Sequence, residues 1–148
     1  MASVEFHFSH HCFTSSLPPN ETVPHDCYWF NDGSLHKPRL RIFDLERYTL
    51  SLDLPLHINN LVASNHIVSR TTRRDNIVRV DKVQVTRNGI PMQVSYYILM
   101  HPTKIRKAQN SPAKLKVVVE SAYPEKVGFH GPNMISAREL SKMLGEYW

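Results

Sequence analysis

Between His66 and Ser121 apolar and polar residues alternate in four bursts, at His66–Arg70, Ile77–Thr86, Met92–Met100 and Leu115–Ser121. A period of two sends successive side chains to opposite faces, so each burst predicts a half-buried strand. The turn TTRRDN separates the first two and Asn88-Gly89 the second and third. Asn-Gly between alternating strands is a strong hairpin signal, because both central residues of that turn take positive φ. Taken as a two-residue loop, it pairs Arg87 with Ile90, Val85 with Met92, Val83 with Val94, Asp81 with Tyr96 and Arg79 with Ile98. Pro91 then faces Thr86 in a non-hydrogen-bonded pair, where its missing N–H does no harm. Val83, Val85, Met92, Val94, Tyr96, Ile98 and Met100 share the core face; Lys82, Gln84, Thr86, Gln93, Ser95, Tyr97 and His101 share the other. Ser121 and Tyr123 continue the face of Leu115, Val117 and Val119.

Upstream, Leu40, Ile42, Leu50, Leu52 and Leu54 fall on alternate positions and read as strand. The stretch DLPLHINNLVAS predicts a short helix, with Asp53 as N-cap, Pro55 in the first turn and Leu54, Ile58, Leu61 and Val62 on one face. At the other end, SARELSKMLGEYW reads as a helix with Ser136 and Glu139 forming a capping box and Leu140, Leu144 and Trp148 as anchors. Residues 1–38 hold five of the nine histidines, both cysteines and four of the ten prolines. Such a segment predicts an irregular or hairpin-like section, with short strands at VEFHF and CYWF, packed on a main domain at 39–148. The expected fold is a single α+β domain: an antiparallel meander sheet of about four strands, a short preceding helix, a C-terminal helix and the irregular N-terminal section.

At 148 residues the chain can bury roughly two-thirds of its unfolded surface and needs no staple. With 41% apolar and 21% charged residues it is an ordinary globular composition. No apolar run approaches the ~20 residues of a membrane span, and MASVEFHFSH lacks the basic head and apolar stretch of a signal peptide. The expectation is a cytoplasmic protein with Cys12 and Cys27 reduced and no membrane partner. A net charge of +5 and a pI near 9.4 favour anionic partners, RNA first and an acidic inhibitor or partner protein second. The Walker loop, G-x-G-x-x-G, H-E-x-x-H and G-x-S-x-G are all absent, so no cofactor is expected.

Three groups of residues carry candidate chemistry. Arg70, Arg73 and Arg74 lie on or beside one turn, and Lys104, Arg106 and Lys107 follow the third strand. In a meander both connections leave the same end of the sheet, where converging cations attract phosphate. His101 closes the third strand, Tyr97 lies one step back on the polar face, and His66 opens the first strand. Histidine titrates near neutrality and serves as general acid or base, while arginine stabilises an anionic transition state. His101, Tyr97 and His66 are therefore the catalytic candidates for metal-independent cleavage of a phosphodiester. The third group, His10, Cys12, His25 and Cys27, offers four zinc-type donors, although a one-residue spacing matches no standard zinc knuckle or finger.

The segments DLPLHINNL, VQVTRNGIPMQVSYYILMH and KLKVVVESAY, in that order between about Leu54 and Tyr123, resemble the layout of small toxin-type ribonucleases of the barnase and colicin RNase fold group. The resemblance implies an endoribonuclease working without metal. Beside it stand two readings from the residues alone: a non-enzymatic basic module binding nucleic acid or protein, and an interaction protein with a zinc-stapled N-terminus.

Overall fold

The computed structural model describes residues 3–18, 20–25, 28–33, 36, 39–73, 75–105, 114–128 and 131–147, with residues 104 and 105 described by their backbone. Arg74, Arg106, Lys107, Cys27 and Trp148 lie outside the described residues. In chain order the elements are β1 (Ser3–Phe8), β2 (Thr14–Ser16), β3 (Trp29–Asn31), β4 (Leu40–Phe43), α1 (Leu45–Ser51), α2 (Leu54–Ala63), β5 (Ile67–Thr71), β6 (Asn76–Arg87), β7 (Ile90–Ile105), β8 (Lys114–Pro124), β9 (Met134–Glu139) and α3 (Leu140–Gly145). A 3-10 turn at His10–Cys12 joins β1 to β2.

This architecture overturns the expected four-stranded α+β meander. The protein is mostly β, 51% strand. Its main sheet has six strands in the order β1-β8-β7-β6-β5-β9, and β2, β4 and β3 form a second, three-stranded sheet. Strands β5 to β8 run antiparallel to one another in succession, but both edges of the sheet come from elsewhere in the chain. On one side β1 pairs with β8 in parallel, Ser3 opposite Lys114 through Phe8 opposite Val119. On the other, β9 pairs with β5, Ile67 opposite Glu139. The capping box expected at Ser136 and Glu139 is therefore extended strand, and α3 starts only at Leu140, its N-cap at Glu139 making no side-chain bond. Covering the β5 edge satisfies a row of backbone groups, which outweighs a capping preference of about 1 kcal/mol.

The stretch from Leu40 to Leu54 also departs from expectation. The strand ends at Phe43, because the Asp44 carboxylate accepts a hydrogen bond from the Arg47 backbone N–H at 3.0 Å and starts α1. Leu50 and Leu54 are buried in the core, whereas Leu52 is exposed.

Two β-bulges set the faces of the sheet. In β6 the pairing shifts between Val80 and Val83, where Lys82 takes φ +60°. The hairpin register holds from Arg87–Ile90 to Val83–Val94. Beyond the bulge Val80 faces Tyr96 and Val78 faces Ile98, in place of the expected Asp81–Tyr96 and Arg79–Ile98 pairs. A strict alternation would have turned Arg79 inward; the extra residue puts Val78 and Val80 there instead. In β8 the register shifts between Val119 and Ser121, opposite Met100 and Leu99. Ala122 and Pro124 are thereby buried with Leu115, Val117 and Val119, and Ser121 and Tyr123 pass to the opposite face.

The core lies between that inner face and the helices. Tyr96, Ile98 and Met100 of β7, Val117 and Val119 of β8, Leu54, Ile58 and Leu61 of α2, and Leu140 and Met143 of α3 form one buried cluster. Each such side chain contributes roughly 1.5–3 kcal/mol on burial. Beside the core the Asn76 amide oxygen accepts a hydrogen bond from Arg138 at 2.9 Å.

His57 on α2 packs its ring 5.9 Å from that of Tyr96. Burial lowers its pKa from the usual 6.5, with Asp53 opposing. As pH falls through 6.5 the unfolded chain takes up this proton before the folded one does. The contribution to stability is therefore complete above pH 6.5 and shrinks as pH drops toward the folded-state pKa. Urea unfolding of His57→Gln should show a weaker loss of stability between pH 7 and pH 5 than the native protein; identical pH profiles would contradict the assignment.

Candidate functional site

The strand β1 follows β8 only as far as Val119. There the Ser9 N–H donates to the Val119 carbonyl at 3.0 Å, its hydroxyl donates to the Glu120 carbonyl at 2.9 Å, and the chain turns away into the 3-10 turn. Beyond Glu120 the β8 edge has no strand partner among the described residues. Helix α1 brings Arg47 beside it. The guanidinium donates from Nη1 to the carbonyls of His11 at 3.2 Å and Thr14 at 2.8 Å, and its Cζ stands 5.5 Å above the Tyr123 ring. Nε lies 3.7 Å from the Asp44 carboxylate, too far for a hydrogen bond, and has no other partner among the described residues.

Arg41 of β4 reaches the same region. Its Nε and Nη2 donate to the Thr14 hydroxyl and carbonyl, both at 2.8 Å, and Nη1 donates to the Ser16 hydroxyl at 3.1 Å. Burial lowers the pKa of both guanidiniums, and the charge of Arg47 lowers that of Arg41 further. Both remain cations at neutral pH. An anion between them would relieve both effects.

Three cavities adjoin here. The first, about 580 Å³, is lined by His11, Asp32, Arg39 and Arg41 among others. A second, of about 360 Å³, shares Ser16 and Arg41 with the first and adds Arg47, Ser121, Tyr123 and Lys126. A third, of about 470 Å³, shares Tyr123 and runs to the β5–β6 turn, where Thr72, Arg73 and Asp75 line it. The track thus carries Arg39, Arg41, Arg47, Lys126 and Arg73, against Glu21, Asp32 and Asp75. In β3 Phe30 is paired with Arg41 and shares its face, while Trp29 is paired with Ile42 on the other; both are exposed, as is Tyr28 before them.

Of the residues singled out from the sequence, Arg73 lies on this track. Tyr97 lies beneath it, 4% exposed and stacked on Tyr123 with ring centroids 5.7 Å apart. Burial raises the pKa of both tyrosines. His101 is exposed on the same face of β7 four residues on, ~13 Å along the strand. His66 opens β5 at the end remote from the Arg70–Arg73 turn, beside His57, Arg79 and Asp81. The expected trio of His101, Tyr97 and His66 is therefore not brought together. Arg70 pairs with Asn76 and Ser136 at the sheet end. The β5–β6 turn and the β7–β8 connection do leave the same end. However, β7 continues five residues beyond Met100, so the backbone of Lys104 stands some 13 Å past the turn, and Arg106 and Lys107 lie outside the described residues.

The expected zinc set is also rearranged. Cys12 faces the core, its thiol donating to the Val119 carbonyl at 3.5 Å and pushed up to about 11 by burial. Neither metal binding nor nucleophilic attack suits such a thiol. His25 is exposed. The residues that do converge are His10, His11 and Asp32, whose donor atoms all lie within 4.8 Å of one another. Sequence spacing could not have found Asp32, which the small sheet delivers across the fold.

The fold and site define a mostly-β protein of two sheets with a basic track at their junction. By its match over residues 1–145 to the family model, the chain belongs to the YjaZ family. No curated protein and no solved structure matches it. Among the described residues no helix is long and apolar enough to cross a membrane.

Gly131 roofs Tyr97. Its φ is +76°, and a Cβ there would lie 3.0 Å from the Tyr97 hydroxyl, whereas at Gly128, φ +78°, a Cβ would meet nothing within 4 Å. Gly128→Ala should cost about 1–2 kcal/mol from backbone strain alone. Gly131→Ala should cost more, read as a lower urea midpoint at unchanged m. Equal losses would show that the Tyr97 contact is slack.

Proposed function

We propose that this protein is a non-enzymatic module that binds single-stranded RNA along the track between the two sheets. The observation that carries this reading is that three cavities share lining residues, Ser16 and Arg41 between two of them and Tyr123 with the third, and each has at least one cation. A polyanion with repeated charges suits several neighbouring cationic cavities better than a compact anion does. Arginine forks hold phosphates by paired hydrogen bonds, and Arg39 and Arg73 line two of the three cavities. The exposed Phe30, paired with Arg41 on one face of the small sheet, gives an unpaired base a ring to stack on, a contribution of about 1–3 kcal/mol.

The ribonuclease reading has less support. It needs a general base and a general acid within reach of one phosphate, and His66 and His101 lie toward opposite ends of the β5–β7 region.

Fluorescence anisotropy with a labelled single-stranded RNA should show binding whose log affinity falls linearly with log salt, by about 0.7 per phosphate contact. Lys126→Gln and Arg73→Gln should each weaken binding and flatten that slope by about one contact, and the RNA should remain intact in EDTA. Salt-independent binding would remove the track from consideration. Fragments abolished by His101→Ala would restore the enzyme.

A further inference from the structure

We propose that His10, His11 and Asp32 form a zinc site that ties the 3-10 turn to the edge of the small sheet. The His10 Nε2 lies 3.5 Å from one oxygen of the Asp32 carboxylate, and the His11 Nε2 lies 2.7 Å from the other. The two imidazoles stand at 89° to one another with centroids 4.5 Å apart, and a ring nitrogen of each lies within 4.8 Å of the other and of an Asp32 oxygen. The His10 Nε2 is buried and has no hydrogen-bond partner among the described residues. A buried ring nitrogen with nothing to bond costs free energy unless something fills the role.

The donors are held from outside. Ser9 caps the turn by accepting from the His11 N–H at 3.0 Å, and the Thr14 hydroxyl donates to the His10 carbonyl at 2.9 Å. The His10 ring lies against Phe30 of β3 at 5.7 Å. Asp32 follows β3, with its N–H donating to the Arg39 carbonyl at 2.9 Å.

Metal–ligand bonds of about 2.0–2.2 Å set tetrahedral donors roughly 3.4 Å apart. The two histidines approach different oxygens of Asp32, and with one ligand atom from each residue the three donors lie within 4.8 Å of one another, so they must draw together on binding while His11 gives up its hydrogen bond to the carboxylate. The proton that His11 shares with Asp32 then shifts to Nδ1, leaving the Nε2 lone pair for the metal. Two imidazoles and a carboxylate suit zinc and disfavour magnesium or calcium, which prefer all-oxygen shells. Three protein donors leave a fourth position for water. His11 and Asp32 both line the 580 Å³ cavity, so the site borders it. The Arg41 charge, close enough to lower the His11 pKa, opposes the metal. Three hydrogen bonds hold that guanidinium to Thr14 and Ser16, so it is fixed and partly offset by Asp32.

The test uses the full chain, stripped with a chelator and titrated with Co2+ in the absence of RNA. One equivalent should give the strong visible bands of four-coordinate Co2+, which Zn2+ should displace, and Zn2+ should raise the thermal midpoint. Asp32→Asn and His11→Gln, both checked for native circular dichroism, should each weaken Co2+ binding at least tenfold. His25→Gln should bind as the native protein does. Weak six-coordinate bands, no saturation at one equivalent, or undiminished binding by a folded Asp32→Asn or His11→Gln variant would overturn the proposal.

Discussion

A sheet with one face against helices must keep that face apolar along every strand, and a strand offers it only alternate positions. In β6 and β8 the apolar positions change parity midway, from Val78 and Val80 to Val83 and Val85, and from Val117 and Val119 to Ala122 and Pro124. One inserted residue in each strand reconciles the two halves. The β8 bulge does more than rescue the core. By turning Ser121 and Tyr123 to the opposite face it furnishes the floor of the basic track, and by freeing the Glu120 carbonyl for Ser9 it fixes where β1 stops.

The junction between the sheets is costly ground electrostatically. Arg41 and Arg47 are half-buried, near each other, and hydrogen-bonded to neutral oxygens of Thr14, Ser16 and His11, with the Asp44 carboxylate 3.7 Å from Arg47. Neutral acceptors orient a guanidinium without neutralising it, so the field of the pair extends into the cavities. At the hairpin end, by contrast, the Arg87 guanidinium meets the Glu46 carboxylate directly at 2.8 Å. The contrast between the two arrangements supports the proposed anion site. Membership of the YjaZ family fixes the kinship of the chain and leaves the ligand to chemistry.

Much of the main sheet's inner part was legible from local pattern. The Asn-Gly turn set the register of the hairpin as far as Val83, and the alternations placed the strands that became β5 to β8. The parity changes were equally visible, at Val80–Val83 and Val119–Ala122, but only as departures from a rule that had been applied strictly. Long-range pairing was not legible. Nothing near Ser136 announces that its stretch will cover β5, and nothing near Val4 announces a parallel partner beyond residue 113. Of the site, Arg73 and Tyr97 were found through local features. Arg41 and Arg47 were passed over because their importance arises from burial. Asp44 was the readable clue to Arg47, since an Asp before an amphipathic turn marks the helix start that aims it.

The pairing of β1 with β8 imposes an order on the folding of the chain. Ser9 meets Glu120 across 111 residues of sequence, and the 3-10 turn, α1 and the small sheet all lean on that closure. Contacts so distant form late, because the entropy of closing the intervening loop must be met before they reward it. The hairpin β6–β7, locked by a two-residue turn, can assemble at once. In a ribosome-bound chain β1 must therefore wait unpaired until β8 has emerged. The basic junction, which depends on the closure, is complete only when the whole sheet is.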